Sequence, residues 1–215
     1  MAHTPLPIDY AIAKAADLDE MTQLLAVVFS QVDPPAVAAA LTAAEFAAFV
    51  RLFWRRVLDE ELTIIARHRE NGKMVGVLLT EDATAAPPAE LSQLSAKFLP
   101  IFDILGQLDT AYREGKLIQP RQYLHLFLLG VAKQAMGLGV AQQLVAACLQ
   151  HGQRRGYTIA ITEATNSVSQ HIFRKQGFTD RVTRSYRDYR YAGQAIFADI
   201  EGHTGPILME RVIGQ

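Results

Sequence analysis

Among the side chains of this chain that can move a proton, three sets are candidates for chemistry. They are the Asp33-Pro34 step in VFSQVDPPAVAAAL, the lone His125 in the apolar run QYLHLFLL, and Ser169, with Thr165 four residues before it. A carboxylate or an imidazole can take a proton from a bound group, and a hydroxyl can donate one. Each has a plainer use as well. Asp33 suits a helix N-cap, His125 suits a hydrogen-bonded core position, and the two hydroxyls suit helix capping. Between them lies LLGVAKQAMGLGVAQQLV, residues 128–145, in which an apolar run enters a turn containing Gly137 and Gly139 and a helical pattern leaves it. The first N–H groups of a helix lack partners, and glycines clear the approach of a phosphate to them.

Three ligands can be weighed at that turn. A dinucleotide site wants G-x-G-x-x-G/A with an acidic residue about 20 positions later, but position 142 is Gln142 and the turn falls late in the chain. A nucleoside triphosphate loop needs Lys-Ser/Thr after its last glycine, and neither glycine is followed by that pair. A different diphosphate held by Gln134, Ala135, Met136, Gly137, Leu138, Gly139 and the helix start at Val140 remains open. So does a turn whose glycines only permit tight packing.

The elements around these residues alternate. DYAIAKA reads as a strand, and Leu18, Met21, Leu24, Leu25 and Val28 recur at helical spacing after an Asp17 cap. Residues 33–61 open with prolines suited to a first turn and read as one long helix or two short ones, with Trp54 in the core or in a ligand pocket. LTIIARHR and KMVGVLLTED, joined across Asn71-Gly72, read as a hairpin. After the loop ATAAPPAE, residues 90–116 read as a helical insertion or lid. RQYLHLFLLGVA is apolar enough for a central strand, residues 138–154 form a helix, GYTIAITEA a buried strand, and NSVSQHIFRKQGF a short helix capped by Asn166 or Ser167. The tail segments TDRVTRSYRDYRYAG and GPILMERVI read as closing strands. The expectation is one α/β (α+β) domain over residues 1–215, with a mixed central sheet flanked by helices.

Composition narrows the partners. With 21 Lys and Arg against 22 Asp and Glu the formal charge is -1, and no basic block marks a nucleic-acid or anionic-membrane surface. No apolar run approaches the ~20 residues of a membrane span, and the N-terminal segment lacks a basic-then-apolar leader, so the expected location is the cytoplasm. The single cysteine, Cys148, excludes an intramolecular disulfide and a paired-cysteine zinc site, and no metal is expected. A small molecule is the expected partner, with no nucleic acid and no membrane. Monomer and homodimer are both open.

The Gln134-x-x-Gly137-x-Gly139 turn, followed about 30 residues on by Asn166-x-x-Ser169-x-x-Ile172-Phe173-x-Lys175-x-Gly177-Phe178, resembles the GNAT superfamily of acyl-CoA N-acyltransferases. The element order resembles it over most of the chain, and residues 121–180 carry the specific motifs. The resemblance implies a splayed central sheet and acetyl-CoA as acyl donor, with its diphosphate on Gln134 to Val140. It implies the pantetheine arm along the backbone of Leu129 and Val131, and Asn166 and Phe173 on the other wall of the groove. His125, nine residues before Gln134, resembles a histidine of some arylalkylamine N-acetyltransferases. Asp33-Pro34, Thr165 and Ser169 look like the acidic-residue-proline step and the hydroxyls of the dopamine-type branch. Asp33, His125 and Ser169 are therefore the implied catalytic residues, and the implied reaction is direct acetyl transfer to a primary amine of a small molecule. A coenzyme-binding module without transfer, or a protein N-acetyltransferase, would share the motifs. Phe173 departs from the pattern, since a tyrosine often stands there as the acid for the leaving thiolate.

Overall fold

A computed structural model describes residues 7–214; the first six positions of the N-terminal segment lie outside the described residues. Seven strands form one sheet: β1 (Ile8–Ile12), β2 (Ile64–His68), β3 (Met74–Asp82), β4 (Tyr123–Val131), β5 (Ile159–Ala164), β6 (Thr179–Thr183) and β7 (Ile207–Val212). Their order is β1-β2-β3-β4-β5-β7-β6. All neighbours are antiparallel except β4 and β5, so the apolar run expected at the centre is the fourth of seven strands. The β2–β3 hairpin turns at Asn71-Gly72 as its sequence predicts, with Gly72 at φ +68° and the Asn71 side chain accepting from the Lys73 N–H at 3.0 Å.

The helices cover both faces. On one lie α6 (Val140–Arg154) and α7 (Ser167–Lys175), where Leu144, Val145 and Cys148 pack with Leu124, Leu126 and Val131. On the other lie α1 (Leu18–Val32), α2 (Pro34–Ala38), α3 (Ala43–Arg51), α4 (Trp54–Glu60) and α5 (Leu99–Arg113), whose Met21, Leu25, Phe46, Phe49 and Ile104 form a second core. Cys148 is buried against the Thr80 hydroxyl at 3.2 Å, and burial pushes its thiol up to about 12, so it is inert.

Three details differ from the sequence reading. Residues 33–61 break into three helices rather than one or two, because Ala40 takes φ +52° and Thr42 starts α3 with a reciprocal capping box to Glu45. Asp17 precedes α1 without capping it; its carboxylate accepts from the Lys14 N–H and pairs with Arg67, both at 2.7 Å. RSYRDYRY is not a strand. β6 stops at Thr183, and Tyr186 and Tyr189 bury themselves from a turn-rich loop, Tyr186 edge-on to Phe197 and Tyr189 stacked on it. Trp54, read as core or pocket, packs against the core: it faces α1, donating to the Thr22 hydroxyl at 2.7 Å, while Phe53 stands in the cavity wall.

Residues 90–116 hold short 3-10 turns and then α5, which is as deeply packed as any helix: Ile104 and Leu108 have no exposed surface. An element so anchored is a structural wall. Replacing Ile104 with Ala is expected to cost about 3 kcal/mol of unfolding free energy by loss of buried surface and the cavity left behind, measured by urea denaturation. A loss below about 1 kcal/mol would mean that α5 is only loosely attached.

Candidate active site

Opening of the sheet at β4 creates the site. β4 pairs with β5 only at Tyr123, Leu124 and His125, yet it runs on to Val131. Beyond His125 its edge facing β5 has no ladder partner, apart from the Thr162 hydroxyl donating to the Leu126 carbonyl at 2.8 Å. On its other edge β4 carries a bulge: Leu79 pairs with Leu128 and Thr80 with Leu126, leaving Phe127 extra. A bulge re-aims the side chains after it. His125, Phe127 and Leu128 consequently share the face of α1, α3 and α5, while Leu129 and Val131 turn toward α6.

A cavity of about 830 Å³ fills the opening. Its outer end is the glycine turn. Gly137 and Gly139 have φ +76° and +81°, where residues with a Cβ are strained, and Gly139 is the N-cap of α6. Among the described residues, the N–H groups of residues 137–142 have no intramolecular acceptor, which fits an anionic ligand. Ala135, Met136, Val140, Leu129 and Val131 line the cavity; Gln134 and Leu138 are exposed beside it. The opposite bank is α7, with Asn166 as N-cap. The Asn166 side chain accepts from the Ser169 N–H at 2.8 Å, and the Ser169 hydroxyl donates to the Asn166 carbonyl at 2.9 Å. Ser169 is thus a capping residue that faces the groove. Phe173 lies beneath, packed edge-on to Phe178 and 1% exposed.

The inner end is aromatic and then ionic. Phe46, Phe49, Phe53, Phe98, Phe102 and Phe127 line it, with neighbouring ring centroids about 5–6 Å apart. Asp33 stands at the side, capping α2 through the Ala36 N–H at 3.2 Å and accepting from the Thr165 hydroxyl at 2.5 Å. Burial pushes its carboxyl up to about 6 against those two hydrogen bonds. The fold thus brings Asp33 and Thr165, 132 residues apart, into contact.

His125 lies deeper, with Nδ1 3.2 Å from Glu81 of β3 and Nε2 2.7 Å from Glu163 of β5. Burial depresses the imidazole, but the two carboxylates outweigh it and raise it to about 10, so both ring nitrogens carry protons at neutral pH. Arg56 donates to Glu81 in turn, and Arg113 holds Asp109 at 2.7 Å. Sequence reading passed over Glu81 and Glu163. Their signal was a charged residue inside otherwise apolar strands, VLLTED and TIAITEA, which is rare unless the charge is paired. Among the described residues no helix is long and apolar enough to cross a membrane, and no group of metal-ligating side chains assembles.

Residues 19–178 match the family model described as the acetyltransferase (GNAT) family. Solved structures share the fold at low identity. The C-terminal condensation domain of Ebony, in complex with beta-alanyl-dopamine, superposes with a TM-score of 0.88 at 14% identity over 97% of this chain and 100% of that chain. Arylalkylamine N-acetyltransferase 2 from Aedes aegypti gives 0.83 at 20% identity, over 96% and 99%. Polyamine N-acetyltransferase of Drosophila melanogaster gives 0.77 at 17%, over 95% and 99%.

The ionic centre has a pH signature. Because the imidazole is raised above its unfolded value of about 6.5, the stability it lends is complete below that pH and is lost as pH rises through about 10. Thermal melting is expected to fall between pH 7 and 10 in the native chain. It should fall less steeply in Glu163→Gln, which removes the closer carboxylate; parallel curves would refute the assignment.

Proposed function

The chain belongs to the acetyltransferase (GNAT) family, and on that premise we propose that it transfers an acetyl group from acetyl-CoA directly to the primary amine of a small molecule. A buried carboxyl poised near neutrality beside the aromatic end of the cavity, Asp33 on Thr165, is the observation that carries this reading. The unpartnered amides of residues 137–142 suit the diphosphate, with Val140 opening the helix, and the free edge of β4 at Leu129 and Val131 suits the pantetheine amides. Asn166 and Phe173 supply the facing wall.

Asp33, as carboxylate, takes a proton from the incoming ammonium, and the neutral amine attacks the thioester carbonyl. A backbone N–H near Leu129 on the open edge stabilises the oxyanion. Collapse forms the amide and expels the thiolate, and the proton shed by the attacking nitrogen passes through water to the sulfur, since Phe173 has no hydroxyl and the Ser169 hydroxyl is committed to Asn166. A thiol with pKa near ~8.5 leaves without a dedicated acid. His125, held doubly protonated by two carboxylates, is a weaker candidate base than Asp33. The one cysteine is buried and inert, consistent with transfer without an acyl-enzyme.

Asp33→Asn is expected to lower kcat/KM about 100-fold with acetyl-CoA and a primary amine. Native kcat/KM should rise with pH through about 6 as the carboxyl ionises, and that limb should vanish in the variant. Gly139→Val should raise the Kd of coenzyme A at least tenfold by isothermal titration, since a β-branched residue cannot hold φ +81°. Coenzyme binding with no acylation of any amine would instead assign a binding module.

A further inference from the structure

Six charged side chains line the inner end of the cavity: Arg56, Glu81, Asp109, Arg113, His125 and Glu163. With His125 doubly protonated, three are cations and three are anions, and each carboxylate already has a partner. Glu81 is shared by Arg56 and His125, Glu163 is held by His125 at 2.7 Å, and Asp109 is held by Arg113 at 2.7 Å. Both arginines also donate to backbone carbonyls, Arg56 to Ala86 and Arg113 to Ala83 at 2.8 Å. Glu60 of α4, which does not line the cavity, also lies 3.8 Å from Arg56; among the six lining side chains no anion is left over. Glu163 stands two positions before Thr165, which bonds Asp33, a separation of roughly 7 Å along an extended chain. An amine seated at Asp33 thus has this end within reach past Phe127, whose ring centroid is 5.2 Å from that of His125.

A second positive charge arriving there would be removed from water and would find only carboxylates already neutralised. Such a charge is costly unless it gains a partner of its own. An uncharged apolar or aromatic body meets only rings. We propose that His125 is a specificity-determining residue: as the cation between Glu81 and Glu163 it balances the charge of the inner cavity, so that the enzyme acetylates monoamines with an apolar body and rejects diamines and guanidinium-bearing amines. The proposal rests on the amine-acetylating reading above and adds the acceptor's chemistry to it. Removing the imidazolium would leave one net negative charge, which a dication can complement.

The test measures kcat/KM with acetyl-CoA for 2-phenylethylamine, putrescine and agmatine. Native protein is expected to favour 2-phenylethylamine at least 100-fold over both dications. His125→Gln should narrow that ratio at least tenfold, mainly through a lower KM for the dications. Glu163→Gln removes a negative charge instead and should leave the ratio unchanged or wider, so it decides the matter even if His125→Gln fails to fold. Comparable native rates on all three amines would overturn the proposal while leaving the acetyltransferase reading intact. A folded His125→Gln with the native ratio, or a Glu163→Gln that narrows it, would also overturn it. Acetylation of none of the three, with coenzyme A still raising the melting temperature, would overturn the proposal together with that reading.

Discussion

The imidazolium of His125 bridges Glu81 and Glu163, and so ties β3, β4 and β5 together at the last residue where β4 and β5 still pair. Past that point the two parallel strands separate and the cavity begins. A charged group in such a place persists only because it is paired on both sides; losing one member of a buried ion set typically costs about 3–5 kcal/mol. The sheet is therefore closed by ordinary ladder bonds at one end and opened at the other, with the ionic contact at the junction. The bulge at Phe127 lies two residues beyond and turns the following side chains, so that one strand serves the aromatic cavity before it and presents a bare backbone edge after it.

The two walls of the groove are built from helix ends. α6 starts on a glycine in the left-handed region with its first amides unpartnered among the described residues, whereas in α7 Asn166 accepts from the Ser169 N–H and His203 from the Ser167 N–H. One helix terminus is thus open to an anion and the other is closed. Opposite them, Asp33 caps α2 and faces the cavity with the same carboxylate. Its capping bond fixes the side chain, and its burial raises its proton affinity, so the local helix signal and the proposed chemical role do not compete.

Much of this was legible in the chain itself, because periodicity, turn glycines and caps are local properties. The hairpin at Asn71-Gly72, the central apolar strand, the helix after Gly139 and the cap at Asn166 follow from neighbouring residues, and the spacing of the glycine turn and the Asn166 segment pointed to the family that residues 19–178 match. Tertiary structure decided what depends on residues distant in sequence. Residues 184–193 lack the strand character read for them because Tyr186 and Tyr189, three residues apart, both pack on Phe197. His125 could be read as base or core residue until Glu81, 44 positions before it, and Glu163, 38 after it, were brought to its two nitrogens. Asp33 reads from the chain as cap or base; the fold shows the cap, and burial beside Thr165 raises the carboxyl on which the proposed base role rests. Protonation is set by the charges and the solvent that surround a group in space, and no spacing along the chain records those.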